Sequence, residues 1–399
     1  MKPSVALVGC DAAEYPTEPI ARAVRTAVDS LGGIDRFVPR DARVLVKINQ
    51  LGKYPADAAI NTHPAVLAAV LDLLLPVTRH VAVGDGLLHR GHEQFGSTGA
   101  DAVCRERGVA MVNFKDEPYE NVPVDGRRLE NIPIARSAAT ADVIVNLPKL
   151  KTHSLTLLTC AVKNAYGYLP QKARVSYHKR FFVPSDFAEA VVDIYRAAPA
   201  TLTVVDAVMG LEGYGAGSRG RPRRIGAIVA GGNAVAVDTV AAGLIGIEGS
   251  RVPSTAIAAR RGMGPDTLEE IGVVGDDIAS LAVADFALPE NALALGSLID
   301  RLPESAARLL GRLIERMRGK PVASADLCIA CGYCVRHCPV QAVRIEDGVA
   351  AFDYEKCIRC YCCQEFCPKG AIDVRGTWPA RAFKAIRKAT KPLRHRKRN

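Results

Sequence analysis

The residues with the clearest chemistry are eight cysteines near the end of the sequence, and they form two runs of four. The first run reads C-I-A-C-G-Y-C-V-R-H-C-P from Cys328 to Pro339, and the second reads C-I-R-C-Y-C-C-Q-E-F-C-P from Cys357 to Pro368. The second run begins 29 residues after the first and repeats its spacing. Gaps of two residues let three thiolates reach one iron–sulfur cube, while the fourth cysteine, just before proline, ligates the other cube. The spacing therefore predicts two 4Fe–4S clusters.

This crossed arrangement assigns four cysteines to each cluster. The ligands of cluster 1 are Cys328, Cys331, Cys334 and Cys367, and those of cluster 2 are Cys357, Cys360, Cys363 and Cys338. A zinc site or a disulfide scaffold is the alternative, but zinc sites usually pair two separated Cys-x-x-Cys units. The region resembles the bacterial dicluster ferredoxin module at all eight cysteines and both prolines. We therefore expect the protein to carry electrons.

A second segment rich in reactive side chains lies between residues 146 and 168. Its candidate catalytic residues, which could bind and polarise a substrate or supply protons, are Lys149, Lys151, His153, Cys160, Lys163, Asn164 and Tyr166. Lysines beside a buried strand need an anion, because burial otherwise favours their neutral form. Together with Lys47 and Asn49 at the end of another apolar strand, they predict a cationic pocket for a carboxylate or phosphate. The alternative is a solvated loop with surface lysines.

Glycines are frequent between residues 206 and 220, directly after a third apolar strand. Asp206, Gly210 and Glu212 are candidate substrate-binding residues here, because glycines permit positive φ angles and free backbone N–H groups could cradle an anion. The two carboxylates could orient a lysine or accept a substrate hydroxyl. The alternative is a flexible connector. Asp238 opens an apolar helix, and we interpret it as stabilising that helix N-terminus rather than as catalytic.

Three smaller features have competing interpretations. Cys160 is either a proton donor or nucleophile or, as is commoner for a buried cysteine, a small apolar residue. The segment H-K-R-F at 178–181 is either a lid over the pocket or a solvated loop. Cys362 lies next to the ligand Cys363, and we interpret it as a bystander.

Motifs for other cofactors are missing from the sequence. Gly84-Asp-Gly86 lacks the third glycine of a G-x-G-x-x-G fingerprint, so nicotinamide binding has little support. No G-x-x-x-x-G-K-[ST] run is present, which argues against nucleotide hydrolysis, and His92-Glu93 has no second histidine for a zinc-protease motif. No flavin motif is seen either. Two clusters could deliver two electrons in sequence without one.

The net charge of +10 belongs mainly to one end of the chain of 399 residues. Residues 377–399 carry nine lysines or arginines and no acid, which leaves 43 basic and 42 acidic residues elsewhere. Such a run is usually a solvated arm, which argues against a nucleic-acid partner. No signal peptide and no apolar run of about 18 residues is present, so we expect no membrane span and a cytoplasmic location, where clusters stay reduced.

The elements that must position these residues follow from the apolar pattern. Short strands are predicted at 5–8, 43–48, 80–83, 109–114, 141–147, 201–205 and 225–229. Helices are predicted at 18–31, at 62–75 with Thr62 as N-cap, and at 100–107. Strands that are apolar on both faces and alternate with helices favour an α/β fold, with a mainly parallel sheet covered on both sides. Ligands bind beyond the carboxyl ends of such strands, where the polar candidates lie.

The sequence divides into four regions. We expect an α/β substrate domain at 1–285, a helical connector at 286–321, a small α+β dicluster ferredoxin-like domain at 322–376 and a basic tail at 377–399. Within the connector, Pro303 favours a helical pair at 298–317 over one long helix.

Several short motifs of the first region resemble one prokaryotic family. They read V-L-V-K-I-N, T-H-P, N-L-P-K-L-K-T-H, V-K-N-A-Y-G, V-V-D-A-V-M-G-L-E-G and A-V-D. The region 3–285 is similar to the family catalogued as domain of unknown function 362, whose members are often fused to a dicluster ferredoxin. The resemblance implies a shared α/β fold and an iron–sulfur redox role, and it implies no substrate.

The leading hypothesis is an iron–sulfur oxidoreductase. Single electrons from a reduced ferredoxin or similar donor would pass through the clusters to an anionic organic substrate with an activated C=C or C=O bond. Cationic side chains beside the acceptor would stabilise the developing negative charge. One alternative is an electron-transfer subunit whose α/β domain docks a partner through lysines such as Lys149 and Lys163. Another is a nucleic-acid-binding redox sensor that uses the basic tail. All three hypotheses are compatible with a homodimer.

Overall fold

The computed structural model describes residues 2–10, 14–153, 156–181, 183–215, 217–289 and 319–375. They belong to two compact units, residues 1–290 and 291–399. The predicted helical pair at 298–317 and the basic tail at 377–399 lie outside the described residues. The predicted connector begins and ends inside them, and its last residues, from Lys320, already form a strand of the second unit.

The first unit contains twelve strands among its described residues. In chain order they are β1 Ser4–Gly9, β2 Val44–Ile48, β3 Val81–Asp85, β4 Ala110–Asn113, β5 Tyr119–Pro123, β6 Asn131–Ala135, β7 Val143–Leu147, β8 Lys149–His153, β9 Leu157–Thr159, β10 Leu202–Gly213, β11 Gly220–Gly231 and β12 Gly272–Gly275. Ten of them form one sheet in the order β12-β1-β11-β10-β7-β2-β3-β4, with β8 paired to β10 and β9. β5 and β6 form a separate antiparallel hairpin.

Helices flank this sheet in two groups. They are α1 Thr17–Asp29, α2 Pro64–Leu74, α3 Glu93–Gly96, α4 Ala100–Glu106, α5 Arg136–Ala139, α6 Ala161–Asn164, α7 Gln171–Arg180, α8 Pro184–Ala197, α9 Ala234–Leu244, α10 Pro253–Arg260 and α11 Ile278–Leu281. Short 3₁₀ helices occur at Ile34–Arg36, Ala56–Ala58, Ala165–Tyr168, Gly249–Arg251 and Leu268–Glu270. α1 packs on α2 and α2 on α4, whereas α9 packs on α6, α10, β10 and β11.

The predicted α/β class with a mainly parallel sheet is confirmed. β7, β2, β3 and β4 pair in parallel, and every residue of β2 and β7 is buried, which explains why these strands are apolar on both faces. β11 is antiparallel to both β1 and β10, so the sheet is mixed on that side. The strands β8, β9 and β12 and the hairpin β5–β6 are additional to the seven predicted.

Two local predictions were wrong. The N-cap of α2 is His63, whose Nδ1 accepts a hydrogen bond from the N–H of Ala65 at 3.1 Å. Thr62 instead joins strand ends, since its hydroxyl donates to Leu147 O at 2.6 Å and accepts from Asn49 N at 2.8 Å. Asp238 does not open its helix, because α9 begins at Ala234 with Asn233 as its N-cap.

The glycine-rich segment is also different from the predicted cradle. Residues from Asp206 to Gly213 belong to the twelve-residue strand β10, and their backbone groups pair with β11. Gly210 is there because of packing: a Cβ would lie 2.6 Å from Ile225 Cδ1. The paired backbone leaves no row of N–H groups for an anion at these residues.

The second unit is an internal repeat. Its elements are β13 Lys320–Ala323, α12 Tyr333–Arg336, β14 Val343–Glu346, β15 Val349–Phe352, α13 Cys362–Glu365 and β16 Ile372–Arg375. Each element of the second half starts 29 residues after its counterpart in the first half. β13 pairs antiparallel with β16, and β14 with β15, so each half supplies strands to both small sheets.

Candidate functional site

The eight predicted cluster ligands fall into two crossed groups. The thiol of Cys334 interacts electrostatically with those of Cys331, Cys367 and Cys328. The cysteine just before Pro368 therefore joins the first run, as predicted for cluster 1. Burial raises the pKa of Cys334 to about 11, and the other three thiols raise it further. Iron binding must therefore displace protons from buried thiols.

The second group has the reciprocal composition. Burial raises the pKa of Cys363 well above its ordinary value, and the thiols of Cys360, Cys357 and Cys338 contribute. Cys334 of the first group also contributes, so the two groups are neighbours. The structure thus brings together the four cysteines that the sequence predicts as ligands of cluster 2.

The loops between these cysteines repeat their backbone geometry. Ala330 and Gly332 have φ angles of 52° and 71°, and Arg359 and Tyr361, 29 residues later, have 55° and 62°. These left-handed residues turn the chain between successive cysteines. The same repeat places the N–H of Ala342 at 3.2 Å from Cys338 Sγ and the N–H of Ala371 at 3.2 Å from Cys367 Sγ. Such N–H···S bonds stabilise the reduced state of a cluster.

A cavity at the first group tests whether the residues fit the cofactor. It is lined by all four thiols of that group, with the apolar side chains of Ile329, Ile345 and Ile372. Four cysteines around an apolar hollow are the donor set that a 4Fe–4S cube requires. A 4Fe–4S cluster bound by these cysteines would supply single electrons, at a potential that its surroundings set.

In the first unit, the carboxyl ends of β2 and β3 carry a fully buried ion pair. Lys47 Nζ lies 2.9 Å from Asp85 Oδ1 and donates to Ile48 O at 2.6 Å. Burial lowers the pKa of Lys47, and Asp85 opposes that shift. Asn164 of α6 lies over this pair: its side-chain N–H groups donate to Asn146 Oδ1 at 2.7 Å, and its Oδ1 accepts from Asn49 at 3.1 Å.

A second buried pair lies at the end of β7. Lys149 Nζ is 2.9 Å from Asp206 Oδ2 and donates to the hydroxyl of Tyr15 at 2.7 Å. That hydroxyl donates to Asp206 Oδ1 at 2.7 Å and accepts the N–H of Met209 at 3.0 Å. Burial lowers the pKa of Lys149, and Asp206 opposes the shift. The anion that the buried lysines require is thus supplied in both cases by an aspartate of the same chain.

His63 completes this second cluster. Its ring stacks on Tyr15 with centroids 3.6 Å apart, and its backbone N–H donates to Asp206 Oδ2 at 2.9 Å. Burial lowers the pKa of His63 to about 4, and although Asp206 opposes this shift, Lys149 adds to it. The imidazole is therefore neutral near pH 7. Because Nδ1 accepts from Ala65, the proton is on Nε2, which has no hydrogen-bond partner among the described residues.

The other candidate lysines are also inside the unit. Lys151 donates to Asn49 Oδ1 at 2.6 Å and to Ile60 O at 2.8 Å. Lys163 donates to Thr159 Oγ1 at 3.2 Å. His153 ends β8 with 2% of its surface exposed, and its Nδ1 accepts from Thr156 N at 3.2 Å. The alternative of a solvated loop with surface lysines is therefore wrong.

Cys160 and Asp238, two residues singled out in the sequence, have structural contacts instead. The thiol of Cys160 is buried against Asp238, and burial raises its pKa well above the ordinary value. Asp238 accepts the N–H groups of Ala161 and Val162 at 2.6 and 3.1 Å, so it caps α6 rather than its own helix. Burial raises the pKa of Asp238 to about 6.

Tyr166 and Glu212 are held by neighbouring loops and strands. The Tyr166 hydroxyl donates to Arg174 O at 2.8 Å. Glu212 accepts the N–H of Ala287 at 2.9 Å and pairs with Arg221 at 3.2 Å, which fixes the chain beyond β12 to β10. The segment 178–181 is the end of α7 and its C-cap, so it is not a solvated loop.

Sequence reasoning missed Tyr15, His63, Asp85 and Arg174. His63 and Asp85 stand in two of the motifs singled out, T-H-P and G-D-G. Nothing in either motif indicates the distant partners, which are Tyr15 and Asp206 for His63 and Lys47 for Asp85. Tyr15 and Arg174 stand in no motif.

Gly167, the glycine of V-K-N-A-Y-G, allows a specific prediction about stability. A Cβ on Gly167 would lie 2.4 Å from Asp85 Oδ1 and 2.8 Å from Lys47 Nζ. We expect Gly167→Ala to destabilise the first unit by at least about 2 kcal/mol, because the buried pair must separate. Urea unfolding followed by far-UV circular dichroism measures this. In the control Gly243→Ala, near the end of α9, the nearest atom is 3.5 Å away, and an equal loss there would contradict the steric explanation.

Comparisons with known proteins agree with both units. Residues 44–243 match the family described as domain of unknown function (DUF362), and residues 320–368 match the 4Fe-4S dicluster domain. A thylakoid-associated protein of Synechocystis sp. is 30% identical over 287 residues, which cover 69% of this chain and 85% of that protein. In the described residues, no helix has the length and apolar character needed to cross a bilayer.

Two solved structures are similar at the level of the fold. One is the lactate racemase apoprotein from Thermoanaerobacterium thermosaccharolyticum, with a TM-score of 0.38 and 12% identity over 58% of this chain. The other is a Thermotoga maritima protein from a structural genomics consortium, with a TM-score of 0.35 and 17% identity over 52% of this chain. This chain spans 54% and 53% of their lengths.

The fold and the eight cysteines define an iron–sulfur protein with a ferredoxin-type electron-transfer domain joined to an α/β domain. The chain belongs to the DUF362 family.

Proposed function

We propose that the protein is an iron–sulfur oxidoreductase that reduces an anionic organic substrate in its α/β domain. The reduction of an activated C=C or C=O bond consumes two electrons and two protons. The electrons come one at a time from a reduced ferredoxin-like protein through the two clusters. A reducing compartment such as the cytoplasm suits this chemistry.

One observation carries the proposal: two buried Lys–Asp pairs lie at the carboxyl edge of the central strands, in a chain that also carries a 4Fe-4S dicluster domain. Burying a charge pair costs several kcal/mol of desolvation per ion and adds little stability over apolar packing. Perturbed ionisable groups of this kind concentrate at functional sites. The carboxyl edge of the sheet is also where α/β proteins bind ligands.

The two buried Lys–Asp pairs have different roles. Lys47 and Asn164 hold the strand ends in register, together with Lys151 and Asn49. Lys149 and Asp206 hold the hydroxyl of Tyr15, and Tyr15 supports the ring of His63. His63 presents Nε2–H as a neutral donor, which can stabilise a developing oxyanion and pass a proton to it. We assign proton delivery to His63 rather than to Cys160, because the Cys160 thiol is enclosed whereas His63 is partly exposed.

The test is reoxidation of the dithionite-reduced holoprotein under anaerobic conditions, followed by visible absorbance against a panel of unsaturated and keto acids. We expect at least one acid to reoxidise the clusters in wild type. His63→Gln should slow that step by about 10²-fold or more, the usual contribution of a general acid. His80→Gln, an exposed histidine before β3, is the control.

The pH dependence adds a second readout. Because the pKa of His63 is about 4, its neutral form persists from pH 8 down to about pH 5. The wild-type rate should therefore show no inflection near pH 6.5, where an ordinary histidine titrates. No reoxidation across a broad panel would refute the reductase assignment.

Partner docking through Lys149 and Lys163 has no support from the burial of these residues. Lys149 is fully buried and Lys163 is 9% exposed. A non-catalytic electron-transfer role would need another surface.

A further inference from the structure

The guanidinium of Arg174 is only partly hydrogen-bonded, although two of its nitrogens are buried. It lies in the first half of α7, and its Nη1 donates to Gly86 O at 3.0 Å, just beyond the carboxyl end of β3. Its Nε and Nη2 are buried and have no hydrogen-bond partner among the described residues. Leaving such buried donors unsatisfied is destabilising, and more so when they are charged.

The unsatisfied atoms are on one edge of the guanidinium. Nε and Nη2 point the same way, and their two N–H groups form the fork that binds a carboxylate or phosphoryl group with two parallel hydrogen bonds. Nη1 fixes the orientation of the group by bonding Gly86. The backbone of the same residue is also fixed, since Arg174 O accepts the hydroxyl of Tyr166. The fork is therefore held in place before any ligand arrives.

Glycines make room for this arrangement. A Cβ on Gly86 would lie 2.8 Å from Arg174 Nη2 and 2.4 Å from Gly167 O. The guanidinium therefore packs directly on the backbone where G-D-G and V-K-N-A-Y-G meet. These motifs form the wall of the site.

The surroundings of Arg174 are rich in positive charge. Burial lowers the pKa of both Lys47 and Lys115, and the charge of Arg174 lowers both further. The neighbouring carboxylates already have partners: Asp85 bonds Lys47, and Asp116 accepts from the Asn113 amide at 3.1 Å. No carboxylate among the described residues forms an ion pair with Arg174.

We propose that the Nε–Nη2 edge of Arg174 binds the carboxylate or phosphoryl group of an anionic ligand at the carboxyl end of β3. This inference rests on the proposed function in one respect: if the protein is a reductase, the anion bound by Arg174 is the substrate that it reduces. The proposal places the anion at Arg174 rather than at Lys149 or Lys47, because each of these lysines already pairs with an aspartate.

The experiment measures the unfolding temperature of the reconstituted full-length protein as acetate, malonate or inorganic phosphate is added at constant ionic strength, with sodium chloride as the reference. Wild type should show a saturable rise with malonate or phosphate, since a ligand that binds the folded state stabilises it. Arg174→Gln should abolish the rise, and Arg174→Lys should weaken the apparent affinity at least fivefold, because lysine keeps the charge and loses the fork. The carboxylate and phosphate arms identify the ligand class.

Lys172→Gln is the matched control, because it removes one positive charge from an exposed position of the same helix. It should leave the rise unchanged. A rise that persists in Arg174→Gln, or no saturable rise in wild type with any of the three anions, would overturn the proposal. If Arg174→Gln does not fold, ¹⁵N-arginine labelling of wild type decides: the Arg174 Nε resonance must shift saturably with the oxyanion and not with chloride.

The two proposals can fail separately. Binding that depends on Arg174 without any substrate-dependent reoxidation would refute the reductase and leave the anion site. Reoxidation that is unchanged in Arg174→Gln would refute the anion site and leave the reductase.

Discussion

Replacing Cys338 with alanine will remove cluster 2 and leave cluster 1, although Cys338 stands in the first cysteine run. The reason is the crossed grouping, in which Cys338 is close to Cys357 and Cys363 while Cys367 is close to Cys334. We expect iron content to fall from about eight to about four atoms per chain, with one cluster signal left in the electron paramagnetic resonance spectrum of the reduced protein.

Double variants distinguish the crossed ligand assignment from one in which each cysteine run holds its own cluster. Cys338→Ala with Cys357→Ala should keep one cluster, because both residues serve cluster 2. Cys338→Ala with Cys328→Ala should lose both clusters. The opposite pair of results would mean that each run ligates its own cluster. Cys362→Ala is the control: it removes a thiol beside Cys363 that belongs to neither predicted set, and both clusters should remain.

Replacing Lys149 with methionine will destabilise the first unit by roughly 3–5 kcal/mol, because it leaves the carboxylate of Asp206 buried without its counter-charge. Among the described residues, the Asp206 carboxylate would keep the Tyr15 hydroxyl and the His63 N–H as its hydrogen-bond partners. Urea unfolding of the holoprotein under anaerobic conditions, followed by far-UV circular dichroism, measures the loss.

The double variant Lys149→Met with Asp206→Asn should recover part of that loss, since no charge then remains buried. The exposed pair Arg43–Asp142 is the control, where Arg43→Met should cost less than about 1 kcal/mol. A loss for Lys149→Met that is no larger than this would mean that the buried pair is unimportant for stability.

The cluster unit could be predicted from the sequence because its chemistry is local. Three of four ligands for each cluster stand within seven residues of one another, and the run repeats. The strands β2 and β7 were predictable for a related reason, since burial on both faces requires continuous apolar residues.

The candidate site in the first unit was harder to predict, because its contacts join distant parts of the chain. Lys149 meets an aspartate 57 residues away, and its other partner, Tyr15, is 134 residues away. The spacing suggested that the lysines needed anions, and this physical argument was sound, but it did not reveal that Asp206 and Asp85 supply them. The glycines after Asp206 suggested a loop, whereas tertiary pairing with β11 extends them into a strand.

The exchange of strands in the second unit has a consequence for how it matures. Each half, 319–347 or 348–375, carries three ligands for its own cluster and one for the other, and its outer strand pairs with the opposite half. Neither half contains a complete coordination sphere or a complete sheet. A cube inserted into the first ligand set would tie both halves together and bring the remaining thiols closer to one another, so that loading of one cluster favours loading of the second.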